Sequence, residues 1–562
     1  MTVPPHLNIG VACTDAHLDT PAADRVAMIV EDEALGVAQL TYRELAGLTS
    51  RFAQALRELG VDAGERVLIR LPNHMAYPVV FLGSIKRGAI PVPTSILLTA
   101  EEVSWLLDDA GAAVLVTDEQ SWAGMVDPLC HACGLRHVIL VNGRDSSGAD
   151  ALRMTEQDDA SIMLRSAEAS PASVMLRSAE ASPAIQIHRL HALLAAIDHC
   201  DPPHLTRAED PAYLVYTSGT SGYPKGVLHA QRALLGRRPA MQHWFDFRGD
   251  DRVLHSGKFN WTYVLGTALM DPLYLGQTAI VYNGPAGAAQ WIPRIARHRA
   301  TIFIGVPTIY RQILQKTTFT AADAPTLRHC MCAGEHLSDE VLHGWHARFG
   351  QEIYEAIGMS ECSYYISQRK GLPVRPGSVG MPQPGHIVKL LDDDLGEVGI
   401  EEEGQIGIGE QDPGLFLRYW EPSRRDWNQP EETARLRRDG WFLTGDYARR
   451  DADGYYWFMG RKDDIIKSFG YRVSPFEVER VLKDHPAVAD CAVVGEEVGP
   501  DKTIVAAYVL PAPGQPIDAE AIMTYAAQHL ASYKCPRAIH VVADLPRTAN
   551  GKVLRRALRR LS

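Results

Sequence analysis

The chain has 562 residues, too many for one ordinary hydrophobic core, so two or more domains are expected. Hydrophobic residues make up 46% and charged residues 22%, which is typical of a soluble globular protein and excludes a disordered or fibrous one. The 56 Lys and Arg are outnumbered by 68 Asp and Glu, and this net charge of −12 argues against general binding of nucleic acid or anionic membranes.

The first half of the chain alternates helical and strand patterns. Residues 40–60 carry apolar side chains at helical spacing and end on Gly60, and short apolar runs follow at 66–71 and 112–118. Similar runs return at 212–218, 278–283 and 301–307. This alternation predicts an α/β fold, with helices around mixed and parallel sheets.

The pattern changes near the C-terminus. Residues 490–497, 503–510 and 540–546 read as strands interleaved with helical stretches, over about 100 residues, which is enough for a small α+β domain. The charged stretch Arg461–Asp464 is the expected boundary. We therefore expect an N-terminal domain at 1–462 and a C-terminal domain at 463–562.

A tandem repeat interrupts the first domain. Residues 161–172 read SIMLRSAEASPA and residues 173–184 read SVMLRSAEASPA, and they differ only at Ile162 and Val174. Two copies are too few for a solenoid, which needs at least three units to bury a core. The repeat predicts an inserted surface loop without a catalytic role, and a partner-binding hairpin is the alternative.

The cysteines and the N-terminal residues indicate the cellular compartment of the protein. Nine cysteines are scattered irregularly, as is usual in a reducing compartment, and the start MTVPPHLNIG lacks the features of a secretion signal. The most apolar stretch is broken by Lys86 and Arg87 and falls short of the ~20 residues that span a membrane. These features predict a cytoplasmic protein with no membrane span and no nucleic-acid partner.

The stretch YTSGTSGYPKG, residues 216–226, predicts a phosphate-binding loop. Backbone N–H groups in a glycine-rich turn form a concave anion site, and Ser and Thr hydroxyls add donors. Lys225 is not followed by Ser or Thr, so this is not a nucleotide P-loop, and the dinucleotide pattern G-x-G-x-x-G is also missing after the strand.

Five further motifs follow in order: AGEHL (333–337), AIGMSE (356–361), FLTGD (442–446), GRKDDIIKSFGYRVSPFEVE (460–479) and LPRTANGK (545–552). With the phosphate loop, this set resembles the AMP-forming acyl-adenylating superfamily, which includes acyl- and aryl-CoA synthetases, luciferases and peptide-synthetase adenylation domains. The resemblance covers nearly the whole chain apart from the repeat. It implies a large N-terminal domain and a small mobile C-terminal domain.

The resemblance also implies the reaction and its cofactors, which are ATP, Mg²⁺ and coenzyme A. The carboxylate of a small-molecule acid attacks the α-phosphorus of ATP to give acyl-AMP and pyrophosphate, and the CoA thiol then gives acyl-CoA and AMP. The first transition state is dense with negative charge, so catalysis is mostly positioning and electrostatic stabilisation.

Roles in the first step are carried over from the matching motifs. The implied catalytic residues are Lys552, which reaches the carboxylate and α-phosphate from the C-terminal domain, Ser360 at the α-phosphate, and Glu361. Glu361 is the implied Mg²⁺ ligand, with Thr217 as a second one, because a hard cation prefers oxygen. Thr217 and Lys225 would hold the β- and γ-phosphates. The residues expected to bind ATP and AMP are Thr217, Ser218, Gly219, Thr220, Lys225, Gly334, Glu335, Glu355, Asp446 and Arg461.

Roles in the second step concern the C-terminal domain. The family rotates this domain about a hinge residue two positions after the arginine that contacts the ribose, which places the hinge at Asp463. The segment after the hinge would line the thiol tunnel, where a glycine leaves room for the pantetheine arm. The implied CoA-binding residues are Lys467, Gly470, Tyr471 and Arg472.

Two segments point to the benzoate-CoA ligase group. SGKFNWTYVLG (256–266) and FIGVPTIY (303–310) resemble its acid-binding segments, and Ile357 stands where most relatives carry Tyr. An apolar slot with one or two hydroxyls suits a flat aromatic or compact alicyclic acid. The candidate pocket residues are Thr262, Tyr263, Ile357, Gly358 and Tyr364.

The same segments depart from the pattern expected for plain benzoate. Residues 260–262 read Asn-Trp-Thr where more apolar side chains are expected, and Tyr364 stands where a histidine is expected. Two alternatives to plain benzoate therefore stay open as the substrate. One is an aromatic acid whose ring carries a hydroxyl or amino group, and the other is a medium-chain acid.

Two other classes of protein stay open as alternatives to a CoA ligase. A module that loads a carrier protein would share the first half-reaction, but we expect no carrier domain after Ser562. A non-catalytic homologue would be expected to lack Glu361, Asp446 or Lys552, and all three are present. The oligomeric state stays open, with a homodimer as one alternative.

Overall fold

The structure is a computed structural model. It describes residues 2–124, 134–142, 185–217, 224–335, 337–420, 429–461, 464, 466–468, 471–499, 502–530, 532, 534–547 and 553–558. The tandem repeat at 161–184 lies outside the described residues, and its prediction as a surface loop stays a prediction.

The strands extend from near the N-terminus to the C-terminal region. They are β1 (Val26–Asp32), β2 (Gly36–Thr41), β3 (Arg66–Arg70), β4 (Ile90–Pro93), β5 (Ala112–Asp118), β6 (His137–Val141), β7 (Gln186–Arg189), β8 (Pro211–Thr217), β9 (Lys225–Ala230), β10 (Arg252–His255), β11 (Thr278–Asn283), β12 (Ile302–Gly305), β13 (His329–Ala333), β14 (Ile353–Met359), β15 (Cys362–Ser367), β16 (Met381–Pro382), β17 (Val388–Leu391), β18 (Glu403–Gly409), β19 (Arg418–Tyr419), β20 (Arg437–Arg438), β21 (Trp441–Arg450), β22 (Tyr456–Arg461), β23 (Ile466–Ser468), β24 (Tyr471–Val473), β25 (Val488–Gly499), β26 (Lys502–Pro511) and β27 (Ala538–Val541).

The helices occur along the same parts of the chain. They are α1 (Ile9–Cys13), α2 (Tyr42–Glu58), α3 (Ala76–Arg87), α4 (Ala100–Ala110), α5 (Glu119–Ala123), α6 (Leu190–Ala195), α7 (Ala233–Gly236), α8 (Arg238–His243), α9 (Thr262–Leu265), α10 (Asp271–Tyr274), α11 (Trp291–His298), α12 (Pro307–Lys316), α13 (Asp339–Phe349), α14 (Gln429–Leu436), α15 (Pro475–Lys483), α16 (Ala519–His529) and α17 (Arg555–Leu558). A π-helical turn spans Gly266–Met270, and 3-10 turns span Asp15–His17, Ala288–Gln290 and Ala321–Asp323.

Two large sheets organise the first part of the chain. A nine-stranded sheet has the order β16-β15-β14-β13-β12-β10-β11-β1-β2, and its six central strands, β14 to β1 in that order, run parallel. A five-stranded sheet, β4-β3-β5-β6-β7, is parallel throughout. Strands such as β12 and β13 are buried along their whole length, as expected for parallel strands covered on both faces.

Smaller antiparallel sheets lie between these and the C-terminus. Strands β8, β9 and β19 form one of them, and β17, β18, β21 and β20 form another, with β22 on β21. In the C-terminal region β25 pairs antiparallel with β26, and β26 pairs parallel with β27. Helices α15 and α16 contribute Val478, Leu482, Ile522 and Ala526 to the core beside β25 and β26. The predicted α/β fold, with a large N-terminal domain of mixed and parallel sheets and a smaller C-terminal domain, is confirmed.

Local sequence patterns account for many of these helices and strands. The helical pattern at 40–60 forms α2, whose start is fixed by a capping box between Thr41 and Glu44. Gly60 has φ +69°, a left-handed conformation that suits glycine beyond a helix end. The strand predicted at 540–546 is shorter than expected, because β27 ends at Val541. None of the described helices combines the length and hydropathy needed to cross a membrane.

Candidate active site

A tight hairpin turn presents Ser360 and Glu361. Strands β14 and β15 are antiparallel, and the pairing of Met359 with Cys362 leaves the two residues between them as the turn. The Nε2 atom of His229 donates to the carbonyl of Ser360 at 2.7 Å, and the N–H of Phe416 donates to the carbonyl of Glu361 at 2.8 Å. The turn is therefore held by its backbone, so both side chains stay available for a ligand.

The carboxyl group of Glu361 lies in a polar pocket with low access to solvent. The hydroxyl of Tyr419 donates to its Oε1 atom at 2.7 Å. Burial raises the pKa of Glu361, while the Tyr419 hydrogen bond and the charge of Arg461 oppose this rise and the charge of Asp446 adds to it. A divalent cation would favour the ionised carboxylate, and oxygen is the ligand that Mg²⁺ prefers, so Glu361 fits the predicted magnesium ligand.

The two ends of the predicted phosphate loop meet next to this carboxylate. Thr217 and Lys225 are paired across β8 and β9. The Nζ atom of Lys225 lies 5.7 Å from the centroid of the Tyr419 ring, the same tyrosine that binds Glu361. Residues 218–223, including Ser218, Gly219 and Thr220, lie outside the described residues. The structure thus brings Thr217, Lys225 and Glu361 to one locality.

Asp446 and Arg461 form the opposite wall. They are partners across β21 and β22, and the Nε atom of Arg461 donates to the Oδ1 atom of Asp446 at 3.2 Å. The charge of Asp446 is the main cause of a raised pKa at Arg461, with Glu361 adding to it. A guanidinium and a carboxylate held side by side offer donors and acceptors for the hydroxyls of a ribose.

The segment after β13 carries Gly334 and Glu335. Gly334 has φ +89°, and a Cβ atom there would lie 3.0 Å from the ring of Trp261, so a side chain at this position would strain the backbone and crowd that ring. The carboxylate of Glu335 accepts from the hydroxyl of Thr308 at 2.6 Å and from its N–H at 3.2 Å. These bonds tie the segment to the start of α12.

Glu355 differs from the other residues that are predicted to bind ATP and AMP. Its side chain is buried on β14, and its Oε1 atom accepts from the N–H of Leu337 at 3.3 Å. Burial raises the pKa of Glu355 to about 8, so the neutral form dominates at pH 7. In this arrangement Glu355 supports the segment that carries Gly334, and its contact with the nucleotide stays a prediction.

The acid-pocket candidates lie in a cluster of aromatic rings. The ring centroids of Tyr263 and Tyr364 are 5.5 Å apart, and that of Trp244 is 4.6 Å from Tyr364. The hydroxyl of Thr262 is 3.4 Å from that of Ser360, which joins the cluster to the phosphate side. Ile357 packs partly buried against the core, one residue before Gly358. The structure therefore brings all five candidates to one place.

Three supporting residues escaped the sequence reasoning. His229 and Tyr419 hold the Ser360–Glu361 turn and its carboxylate. Arg237 is buried and bonded to Asp271 at 2.5 and 2.6 Å, and its guanidinium lies 5.7 Å from the centroid of the Tyr364 ring. The Tyr-Trp pair at 419–420 is a local signal that could have been noted, whereas nothing local marks the other two.

The C-terminal candidates are only partly described. Lys552, Asp463 and Gly470 lie outside the described residues. Lys467 pairs with Arg472 and Ser468 pairs with Tyr471, so the described ends of the proposed CoA-binding segment form an antiparallel pair of strands, β23 and β24. The roles of these residues stay predictions.

Comparison with known proteins places the chain in a family. Residues 16–420 match the model of AMP-binding enzymes, and residues 477–552 match that of the AMP-binding enzyme C-terminal domain. The chain is 33% identical over 533 residues to the benzoate–CoA ligase of Thauera aromatica, covering 92% of this chain and 90% of that protein.

Solved structures agree with this placement. The anthranilate CoA ligase AuaEII in complex with anthranoyl-AMP has a TM-score of 0.82 at 28% identity, covering 100% of this chain and 98% of that one. A benzoate CoA ligase from Burkholderia xenovorans LB400 has a TM-score of 0.80 at 29% identity, covering 98% and 99%. The chain therefore belongs to the AMP-binding enzyme family and is an AMP-forming acyl/aryl-CoA synthetase that uses ATP, Mg²⁺ and coenzyme A.

Proposed function

We propose that the acid is a benzoate-like aromatic carboxylate, with or without a small ring substituent. The observation that carries this proposal is the contact of 3.4 Å between the hydroxyls of Thr262 and Ser360, because it joins an aromatic pocket to the phosphate side of the site. A flat ring packs well against aromatic side chains such as Tyr263 and Tyr364, and the relatives named above act on benzoate and anthranilate.

The residues divide the first half-reaction between them. Thr217 and Lys225 hold the β- and γ-phosphates, and Glu361 holds Mg²⁺, which when bound neutralises charge on the phosphate oxygens. Ser360 and Lys552 stabilise the α-phosphate while the substrate carboxylate forms its bond to phosphorus and pyrophosphate leaves. Ser218, Gly219 and Thr220 are proposed to complete the phosphate loop.

The ribose and adenine are held on the other side of the site. Asp446 accepts from the ribose hydroxyls and Arg461 donates to the ribose, while Gly334 and Glu335 line the adenine. The second half-reaction then requires rotation about Asp463. The CoA thiol attacks the acyl carbon, and AMP leaves as the thioester forms.

We also propose how the chain divides into domains. We place the domain boundary between residues 462 and 463, so that Lys552 belongs to a mobile domain and is withdrawn for the second step. The pantetheine arm would pass the segment 467–472 beside Gly470. The sparse, irregular cysteines of the sequence support a cytoplasmic location.

A panel of acids tests the proposal. AMP release is measured with and without CoA for benzoate, hydroxy- and aminobenzoates, alicyclic acids and straight-chain acids. We expect CoA-dependent AMP release to be fastest with an aromatic acid. A preference for straight-chain acids would overturn the substrate assignment, and AMP release that CoA does not stimulate would point to another acceptor such as a carrier protein.

A further inference from the structure

Asp109 lies at a position that is unfavourable for the helix that carries it. It belongs to the last turn of α4 and is only 6% exposed. The carbonyl groups at the C-terminal end of a helix carry a partial negative charge, so an acidic side chain there lowers the stability of the helix. Burial of the carboxyl group adds a further cost. These costs indicate that the side chain of Asp109 has a role outside α4.

The carboxylate of Asp109 binds the residue at which the phosphate loop begins. The hydroxyl of Tyr216 donates to its Oδ2 atom at 2.7 Å. Hydrogen bonds to a carboxylate are stronger than those between neutral groups. Tyr216 directly precedes Thr217 at the end of β8, so this bond also restricts where Thr217 can lie.

The main chain of the same residue is joined to the other end of the loop. The indole Nε1–H of Trp420 donates to the carbonyl oxygen of Asp109 at 2.9 Å. The backbone N–H of Trp420 donates in turn to the carbonyl oxygen of Gly226 at 2.7 Å, one residue after Lys225. Asp109 is therefore bonded directly to the first end of the loop, at Tyr216, and through Trp420 to the second end, at Gly226.

Close packing holds this linkage in place. Tyr216 and Gly226 are partners across β8 and β9. A Cβ atom on Gly226 would lie 2.7 Å from the Cβ atom of Trp420 and 3.4 Å from Cε1 of Tyr216, so both aromatic side chains lie against the glycine. The guanidinium carbon of Arg66 lies 5.3 Å from the centroid of the Trp420 ring, and its Nε atom donates to the carbonyl of Ala110 at 2.6 Å. The same arginine thus contacts Trp420 and the end of α4.

We propose that Asp109 is a positioning residue for adenylation. It fixes the two ends of the phosphate loop, so that Thr217 and Lys225, which are partners across the same two strands, meet the β- and γ-phosphates of ATP together. This inference rests on the proposed function, because it takes the loop to bind these phosphates. It deepens that function by adding a residue that lies 107 positions before Tyr216, outside all the motifs.

The two half-reactions separate positioning from general damage, because the acyl-adenylate no longer carries the β- and γ-phosphates. In Asp109→Ala we expect kcat/KM for ATP in acid-dependent pyrophosphate release to fall at least about tenfold, mostly through the KM for ATP. The KM for the acid, and thioester formation from supplied acyl-adenylate, should stay within about threefold of the wild type.

Two further variants serve as the matched comparison. Asp109→Asn keeps an oxygen that can accept from Tyr216, and it should recover a KM for ATP within about threefold of the wild type. Asp108→Ala removes an exposed acidic side chain from the same helical turn, and it should change the KM for ATP by less than about twofold.

A double variant tests whether the effect passes through Tyr216. Tyr216→Phe removes only the donor and should raise the KM for ATP as Asp109→Ala does, so it carries the same comparison if Asp109→Ala does not fold. Combined, the two changes should be no worse than the worse single one, because residues that share one hydrogen bond do not have additive effects. Additive losses would overturn the proposal.

Lys225→Ala separates this inference from the proposed function. A raised KM for ATP in Lys225→Ala together with an unchanged one in Asp109→Ala and Tyr216→Phe would overturn the role of Asp109 and leave the phosphate loop in place. An unchanged KM for ATP in Lys225→Ala would overturn both. Equal losses in the two half-reactions of Asp109→Ala, with a lower melting temperature, would also overturn the proposal, since they would show a general structural role.

Discussion

The hydroxyl of Tyr419 donates a hydrogen bond of 2.7 Å to the Oε1 atom of Glu361 across 58 residues of sequence. The same ring lies 5.7 Å from the ammonium group of Lys225. Tyr419 therefore links Glu361, the proposed magnesium ligand, to Lys225, the proposed phosphate contact. It does so although it lies outside the sequence motifs that contain these two residues. This hydrogen bond opposes the rise that burial causes in the pKa of Glu361.

Removing this hydroxyl should shift the pH dependence of adenylation. The hydrogen bond lowers the pKa of Glu361, so Tyr419→Phe should raise it and move the acid limb of acid-dependent pyrophosphate release to higher pH. A lost hydrogen bond to a charged group also predicts a rate reduced about 10- to 100-fold. Tyr447→Phe, which removes the hydroxyl of a buried tyrosine on β21, serves as the control. An acid limb identical to that of the wild type would contradict the role of Tyr419.

Buried neutral histidines should make the protein acid-sensitive. Burial lowers the pKa of His229 to about 4, and its ring stacks on Tyr213 at 4.6 Å. Between the ordinary value of 6.5 and about 4 the unfolded chain binds a proton that the folded chain does not, so stability falls as pH falls through this range.

His229→Phe tests this and keeps the stacking. The unfolding free energy should depend less steeply on pH between 4 and 6.5 than in the wild type, by about 1.4 kcal/mol per pH unit. Denaturant unfolding at several pH values measures this slope. An unchanged slope would show that His229 does not titrate as its burial implies.

Glu355 should have the opposite effect. Its pKa is raised to about 8, so between 4.5 and 8 the folded chain keeps a proton that the unfolded chain has lost. Stability should therefore fall as pH rises through this range and level off above it. Glu355→Gln should be more stable than the wild type at pH 9, and the advantage should shrink by about 1.4 kcal/mol for each pH unit towards acid. Equal pH profiles of melting temperature would contradict the burial of this carboxyl.

Gly358 should tolerate no side chain. A Cβ atom there would lie 1.9 Å from the carbonyl oxygen of Ser363, in the hairpin that carries Glu361. Gly358→Ala should cost about 3 kcal/mol of unfolding free energy, because the backbone has to move. Gly47→Ala, a helical glycine with no atom in the way, should be neutral or stabilising by up to about 1 kcal/mol. Equal stability of the two variants would contradict this view of the hairpin.

Local sequence patterns were sufficient for the fold class and for many elements. The apolar run at 278–283 forms β11 with the same bounds, because a buried parallel strand needs an uninterrupted apolar sequence. The strand predicted at 212–218 forms as β8, and the phosphate-binding role of the residues after it stays a prediction.

The supporting contacts could not be predicted in this way. His229 binds Ser360 across 131 residues, and the pairing depends on how two sheets pack. The burial of Glu355 has the same origin, because a single charged residue in a short strand does not show which face of the sheet it will occupy. Tertiary packing, which local patterns do not encode, decides these positions.

The most direct test compares two half-reactions in Glu361→Gln. Acid-dependent pyrophosphate release should fall at least 100-fold, about 2.7 kcal/mol or more, because the amide is a poorer ligand for Mg²⁺. Thioester formation from supplied acyl-adenylate should stay within about tenfold of the wild type, since the first step is already complete. Pyrophosphate release at the wild-type rate would contradict the assignment of Glu361 as the centre of the adenylation site.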